Sequence, residues 1–410
     1  MMIKKAGIFA LVVSLLLVLL CPTLVQAEAG LTISNNSAET EFPLKLNFSL
    51  SAKSDVNITD VRLHYAVDRE SYAQVNSEVY VEFTPATTID VEWAWDMRKT
   101  GGLPPGTVVE YWWTVEDAGG AKVETTPLKV HFNDKRYSWK SLTEGKVTIL
   151  WYEGTQSFAQ ELMSTAQEAL ARLAEDTGAY LKKPVGIYIY ADPTDLQGAM
   201  IFPQEWTGGV AFIRYSTIAI GISTNDLDWG KRATVHELTH LVTHQMTANP
   251  YNDLPNWLNE GLSMYNEGLL EAGYVNILKK AVTEDNLITV RTLSSEFSAD
   301  PAQAYLAYAE SYSLLEFLIG NYGRGKMLEL LTTFSQGNGY YDNALEQVYG
   351  FDRDGLNTLW LGYVRSQYQE AGMTTAAISP VLIGTLDRVV SGFRLDLRLA
   401  TQSWGWGWVW

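Results

Sequence analysis

The chain has 410 residues, of which 47% are hydrophobic and 12% aromatic, enough to bury the cores of two or three domains. The formal net charge of −17 and the lack of any basic cluster exclude nucleic acid as an expected partner. The sequence contains a single cysteine, Cys21, so neither disulfides nor a cluster of thiolate metal ligands can form within the chain.

Residues 1–27 have the layout of a secretory signal peptide. Lys4 and Lys5 give a positive start, an apolar run follows over residues 8–20, and residues 25–27 suit a cleavage site. The apolar run is too short to cross a bilayer comfortably. We therefore expect an exported protein, secreted or held at the cell surface or in the periplasm, with no membrane association indicated beyond this segment.

Residues 28–135 show the pattern of an all-β unit. Apolar and polar residues alternate with period two over 61–67 and again over 109–115. Gly- and Pro-rich turns at 101–106 and 117–120 flank the second of these runs. Short strands with regular turns favour an antiparallel β-sandwich, and the segment resembles immunoglobulin and fibronectin type III modules.

Residues 136–375 predict an α+β domain whose second half is mostly helical. Buried strands are expected at 147–152, 185–190 and 218–222, with a helix over 158–173 after the first. Later helices are expected from about Asp226 or Asp228 to Met246, from Pro255, and over 301–321, 326–334, 341–348 and 354–370. Residues 376–410 form a Trp-rich tail whose pattern selects no structure.

One stretch of this domain carries the chemistry: His236-Glu237-Leu238-Thr239-His240. On a helix, residues four apart share a face, so both imidazoles can reach one ion, with a carboxylate between them to act as a base. The chain has five His, and His236, His240 and His244 fall within nine residues. The alternative is a pair of structural histidines on a buried helix face.

A catalytic zinc ion typically takes three protein ligands and leaves a fourth position for water. His244 is excluded, since eight residues of straight helix separate it from His236 by about 12 Å. A histidine after a glycine turn is excluded too, because Thr243 and Met246 occupy those positions. Glu260 remains, on a second helix that follows a proline-bracketed connection.

The two motifs together resemble those of the gluzincin metallopeptidases of the peptidase MA-like clan. Their residues are similar to those of the alanyl aminopeptidases. The first motif is followed, nineteen residues after His240, by Glu260 within Trp257-Leu258-Asn259-Glu260-Gly261. The resemblance implies a zincin-like fold, a Zn²⁺ ion as cofactor and Glu237 as general base. It implies three metal ligands: His236, His240 and Glu260.

Tyr308 also enters through this resemblance. It lies in Tyr308-Ala309-Glu310-Ser311, where aminopeptidase-type gluzincins have a tyrosine that faces the zinc and stabilises the oxyanion. The alternative for Tyr308 is plain packing, since Tyr305 and Tyr312 share its helix face.

The sequence thus predicts a zinc metallopeptidase acting on a peptide or protein substrate. The Gly-Ala-Met-Glu-Asn signature, whose Glu holds a substrate amine in aminopeptidases, is absent; residues 206–211 stand in the comparable region, with no carboxylate after Gly208. Cleavage from the amino terminus and cleavage inside a chain therefore both stay open. The rival hypothesis is a non-catalytic exported binding or scaffold protein that uses the β-sandwich and carries a degenerate zinc domain.

Overall fold

A β-rich N-terminal region precedes a largely helical C-terminal part in the computed structural model. The structure describes residues 30–73, 75–203, 207–251, 253–337 and 340–375. The expected signal peptide (1–27) and the Trp-rich tail (376–410) lie outside the described residues.

The N-terminal strands all join one sheet through the long strand β2, and every pair is antiparallel. The first half of β2 pairs with β1 and β4, and its second half pairs with β3 and β5. We call this unit the front sheet; its likeness to immunoglobulin modules stays a prediction. Its strands are β1 (Thr32–Glu41), β2 (Lys45–Val67), β3 (Ser77–Tyr80), β4 (Ala86–Asp96), β5 (Thr107–Asp117), β6 (Lys122–Glu124) and β7 (Leu128–Phe132).

The alternating residues of the front sheet point to its core. Val61 and Leu63 on β2 are fully buried, and Val109, Trp113 and Val115 on β5 are buried beside them. Arg62 and Glu110, on the opposite face, are only partly buried, as the period-two pattern predicts, whereas Thr114 departs from the pattern and is buried.

A second sheet of five strands has the order β11-β12-β10-β9-β8. The three central strands run parallel, while β11 and β8 pair antiparallel at its two edges. The parallel strands are apolar on both faces because helices and aromatic side chains cover them. The five are β8 (Lys140–Glu144), β9 (Val147–Trp151), β10 (Val185–Tyr190), β11 (Gly209–Phe212) and β12 (Thr217–Gly221).

Two helices pack on this sheet, and a third lies next to its loops. Helix α1 (Gln156–Thr177) begins at Thr155, whose hydroxyl accepts from the backbone N–H of Phe158, and ends at Gly178 in the left-handed region. Helix α2 (Pro193–Gln197) is a single short turn. Helix α3 (Leu227–Thr247) places Leu238, Leu241 and Val242 in the core beneath the parallel strands.

The remaining helices form a second, purely helical core. Helix α4 (Asn256–Glu267) crosses α7 (Pro301–Tyr322) so closely that a Cβ at Gly261 would lie 2.4 Å from Cδ2 of Leu315 and 2.6 Å from the Ser311 carbonyl. Glycine after Glu260 therefore permits this helix crossing. The others are α5 (Ala272–Thr283), α6 (Val290–Leu293), α8 (Arg324–Ser335), α9 (Tyr341–Tyr349) and α10 (Arg353–Thr375).

Among the described helices, none combines the length and the apolar composition that a bilayer crossing requires.

Candidate metal centre

Helices α3 and α4 bring three potential ligands to one point. Nε2 of His236 lies 3.3 Å from Oε2 of Glu260, and Nε2 of His240 lies 3.4 Å from the same oxygen. One ligand atom from each residue lies within 4.8 Å of the others. All three side chains are buried, so little water competes for this space. Within the described part of the chain, this is the one His/Cys/Asp/Glu group that could hold an ion, and His244 lies outside it.

The donor set fits a zinc ion. Both Nε2 atoms are buried and make no hydrogen bond to any described residue, although each points at the Glu260 carboxylate. Buried polar atoms are almost always satisfied, and two orphaned imidazole nitrogens facing one carboxylate indicate a missing partner. Two imidazoles and one carboxylate form a ligand set that catalytic zinc takes in proteins.

The other ring nitrogen of each histidine is held in place. Nδ1 of His236 lies 2.7 Å from Oε1 of Glu267. Nδ1 of His240 lies 3.1 Å from Oδ1 of Asn259 and 3.1 Å from Oγ of Ser263. Because carboxylate and amide oxygens accept, these contacts put the proton on Nδ1 and leave the Nε2 lone pairs for a metal ion.

The electrostatics follow from the two carboxylates on α4. Burial opposes protonation of His236, but the nearby carboxylates of Glu260 and Glu267 outweigh burial and raise its pKa to about 10. Burial likewise opposes ionisation of Glu260, but His240 and His236 hold its pKa well below the usual range. The site therefore attracts positive charge, either a proton or a cation.

Glu237 lies between the two histidines on α3 and is fully buried. Burial raises the pKa of this carboxyl, against the lowering effects of His236, His240 and the backbone N–H of Ala211. A carboxyl with a raised pKa binds a proton more readily than an ordinary glutamate does, which suits a general base. Glu237 is not among the three clustered ligands, so it is available as a base beside them.

Strand β11 runs directly over Glu237. A Cβ at Gly209 would lie 3.0 Å from Oε1 and 3.3 Å from Cγ of Glu237, so a side chain there would crowd the base. Glycine at position 209, the first residue of β11, keeps the space above the carboxylate open.

Tyr308 faces the same centre from α7. Its ring centroid lies 6.4 Å from that of His236, and Phe297 packs edge-on against its other side at 5.3 Å. The structure thus brings Tyr308 next to the metal ligands; Tyr305 instead packs on Tyr274 and Tyr312 on Tyr265. The three tyrosines of this helix therefore have different surroundings.

Sequence reasoning missed the polar face of α4. Asn266 Nδ2 donates to Thr239 Oγ1 at 2.7 Å, beside the contacts of Asn259, Ser263 and Glu267 with the histidines. These residues recur every three or four positions from Glu260, a helical period that marks one face of α4. A polar stripe at this spacing on a buried helix was the signal that could have found them.

Residues 165–366 match the sequence model described as the Peptidase MA superfamily. All three clustered residues, and Tyr308, fall within that match. No curated protein sequence matches the chain.

Three solved structures align with parts of the chain at low TM-scores. An M1 zinc metallopeptidase from Deinococcus radiodurans aligns over 81% of this chain and 94% of its own, with 12% identity and a TM-score of 0.36. A carbohydrate-binding module family 56 beta-1,3-glucan binding domain aligns over 25% of this chain and 100% of its own, with 22% identity and a TM-score of 0.16. Wild-type OgpA from Akkermansia muciniphila aligns over 26% of this chain and 28% of its own, with 9% identity and a TM-score of 0.21. Such low identities carry no residue role over to this chain.

Proposed function

We propose that this protein is an exported zinc-dependent peptidase whose metal is held by His236, His240 and Glu260. The observation that carries the proposal is the pair of buried, unsatisfied Nε2 atoms facing the Glu260 carboxylate. The match to the Peptidase MA superfamily model supports the same reaction class. Export rests on the signal-peptide pattern of residues 1–27 alone.

Each residue has a defined task in hydrolysis. Zinc, when bound, supplies a Lewis acid that acidifies water and polarises the scissile carbonyl. Glu237 accepts the proton of the attacking water and returns it to the leaving amine, a role that its raised pKa suits. Tyr308, next to His236, donates a hydrogen bond to the oxyanion that develops on the carbonyl.

The backbone of β11 offers a place for the substrate. It is an edge strand that pairs on one side with β12, so its other side can pair with an extended peptide above Glu237. None of its four residues carries a carboxylate to hold a substrate's free amine. Peptides with free and with blocked amino termini therefore distinguish cleavage at the amino terminus from cleavage inside a chain.

The test is a metal assay combined with a peptide library, half of it N-acetylated, on the full chain and on Glu237→Gln. We expect about one zinc per chain in both proteins, and hydrolysis by the wild type that a chelator abolishes. Glu237→Gln should lose about 10²- to 10⁴-fold in kcat because a neutral amide cannot accept the proton.

Retained zinc in Glu237→Gln serves as the control for folding. A variant that keeps both its zinc and its wild-type rate would exclude Glu237 as the base. Zinc binding without cleavage of any peptide by the wild type would favour the non-catalytic binding protein. Cleavage of free but not acetylated peptides would show that the specificity is that of an aminopeptidase.

A further inference from the structure

The front sheet contacts the second half of the chain at both ends of β11. This strand has four residues and, within the described chain, a single partner strand. Residues 198–203 lead into the strand, and a 3-10 turn over Ile213–Tyr215 follows it. Side chains or backbone groups of the front sheet contact both of these segments.

The contact before β11 is apolar. Ile201 is 6% exposed and packs in the same cluster as the core residues of the front sheet. A Cβ at Gly102 would lie 2.9 Å from Cγ1 of Ile201, so the loop after β4 lies directly against this side chain. Residues 101–103, residues 199–201 and Phe212 line a small, partly open cavity of about 20 Å³.

The contact after β11 is polar and involves the backbone. The N–H of Glu70, in the loop after β2, donates to the carbonyl of Arg214 at 2.6 Å. The carboxylate of the same residue accepts from Nζ of Lys183 at 3.2 Å. Tyr215, at the end of the 3-10 turn, packs against the core of the front sheet.

A short edge strand with one partner opens easily, because few hydrogen bonds and little buried area hold it. β11 must nevertheless stay at a fixed distance from Glu237, since Gly209 leaves just enough room above the Glu237 carboxylate. Helix α3 fixes Glu237 from the other side through its buried apolar face.

We propose that the front sheet is a positioning module for β11, anchored through Ile201 and Glu70, and that it thereby sets how a peptide substrate lies above Glu237. Ile201 and Glu70 are positioning residues, since they act on the substrate through β11. The consequence for the substrate rests on the proposed peptidase function, whereas the anchoring of the strand does not.

The test compares Ile201→Ala with Ile89→Ala in the full-length, metal-free protein by amide hydrogen exchange. Ile89 lies on β4 in the same cluster and is buried to the same extent, 5% against 6% exposed. Both variants lose the same side-chain atoms, so both should lower global stability. Only Ile201→Ala should accelerate exchange of residues 207–216 selectively, by about tenfold or more.

A second pair isolates the contact after the strand. Glu70→Ala removes the carboxylate but keeps the N–H that donates to Arg214, whereas Glu70→Pro removes both. We expect exchange of residues 213–216 to increase slightly in the alanine variant and about tenfold in the proline variant.

The effect on the substrate is read from steady-state kinetics of the zinc-loaded protein. Ile201→Ala should raise KM about three- to tenfold with kcat within about twofold, and Ile89→Ala should change neither. Equal exchange of residues 207–216 in the two isoleucine variants would overturn the proposal. The wild-type protein could cleave no peptide while Ile201→Ala still shows selective exchange of residues 207–216. That result would support the anchoring of β11 and overturn only the peptidase function.

Discussion

At the scale of single residues, Glu267 is as informative as the ligands themselves. Its carboxylate holds Nδ1 of His236 at 2.7 Å and fixes the direction of the Nε2 lone pair. Glu267→Gln should raise the zinc dissociation constant about tenfold, and Glu267→Ala up to about 100-fold, because a neutral or missing partner makes the imidazole a poorer ligand. Competition with a chelator of known affinity measures both.

Glu271→Gln is the matched control for that prediction. Glu271 lies four residues after Glu267 and is exposed. Its carboxylate pairs with Arg232 at 3.0 Å and not with one of the clustered histidines. The zinc affinity of the Glu271→Gln variant should equal that of the wild type. An unchanged zinc affinity in Glu267→Ala would show that the contact with His236 does not support the metal centre.

The clustering of His236, His240 and Glu260 could be expected from the sequence, whereas the contact of Glu267 with His236 could not. His236 and His240 share a face because an α-helix fixes the geometry of residues four apart, whatever surrounds it. Glu260 required only that the chain reverse after Pro255. The contact of Glu267 with His236 depends on the angle and register at which α4 crosses α3, and these follow from packing over the whole domain.

At the scale of elements, α7 carries a buried carboxyl outside the metal centre. Glu310 is fully buried and accepts from the backbone N–H of Ile288 at 3.0 Å and 3.2 Å. Burial raises its pKa from 4.5 to about 8, against the lowering effect of that N–H. The folded state therefore binds a proton that the unfolded chain releases above about pH 4.5.

Protonation of Glu310 makes the folded state more stable at low pH than at high pH. The stability that this proton confers is fully present below about pH 4.5 and is lost as the pH rises to about 8, on the order of 3–5 kcal/mol in total. Glu310→Gln stays neutral and can still accept from Ile288, so its free energy of unfolding should vary less between pH 5 and pH 8. Denaturant unfolding of the metal-free protein at both pH values measures this.

An exposed carboxyl controls for the loss of charge alone. Glu346→Gln, on the surface of α9, should leave the pH dependence of unfolding unchanged. If Glu310→Gln shows the same slope as the wild type, Glu310 is ionised in the folded protein at neutral pH, and another group causes the dependence.

Helices and strands with a strong periodicity of apolar residues could be predicted from the sequence, and those without this periodicity could not. Helices α1 and α7 show long stripes, and the structure extends them by only a few residues beyond the expected bounds. Strand β8 was missed because its sequence, Lys-Ser-Leu-Thr-Glu, has a single apolar residue and gains its place by pairing with β9. Helices α5 and α6 were missed as well; α6 is a single turn.

At the scale of the whole molecule, the two halves meet at a buried polar contact that the sequence did not reveal. The Asp134 carboxylate is fully buried and accepts from Nε and Nη2 of Arg136, at 2.9 Å and 2.7 Å, and from the Tyr190 hydroxyl on β10 at 3.1 Å. Nη1 of Arg136 then donates to the carbonyl of Gly198, ahead of β11. In sequence, Asp-Lys-Arg reads only as the turn between two domains.

The chain supplies its own control for this contact. Asp96 and Arg98 repeat the same spacing, with the Asp96 carboxylate accepting from N, Nε and Nη2 of Arg98 at 3.1, 2.8 and 2.8 Å. That pair lies at the surface of the front sheet, with side-chain exposures of 20% and 53%, and its hydrogen bonds given above stay within residues 96–98. The two pairs thus share their chemistry and differ in burial and in what they connect.

Asp134→Ala should destabilise the protein by about 2–3 kcal/mol, because it leaves the guanidinium of Arg136 and the buried Tyr190 hydroxyl without their acceptor. The value lies at or below the lower end of the range for buried ion pairs because Arg136 is 35% exposed. Asp96→Ala should shift the melting temperature by no more than about 1 °C, since water replaces the partner of an exposed pair. Calorimetry should also show an unfolding transition that is broader than that of the wild type, or split, in Asp134→Ala alone, because Asp134 connects the front sheet to β10 and, through Arg136, to the segment before β11. Equal melting temperatures for the two variants would contradict this prediction. The apolar contacts of Ile201 and Tyr215 would then hold the two halves together, and the buried hydrogen bonds of Asp134 would add no coupling between them.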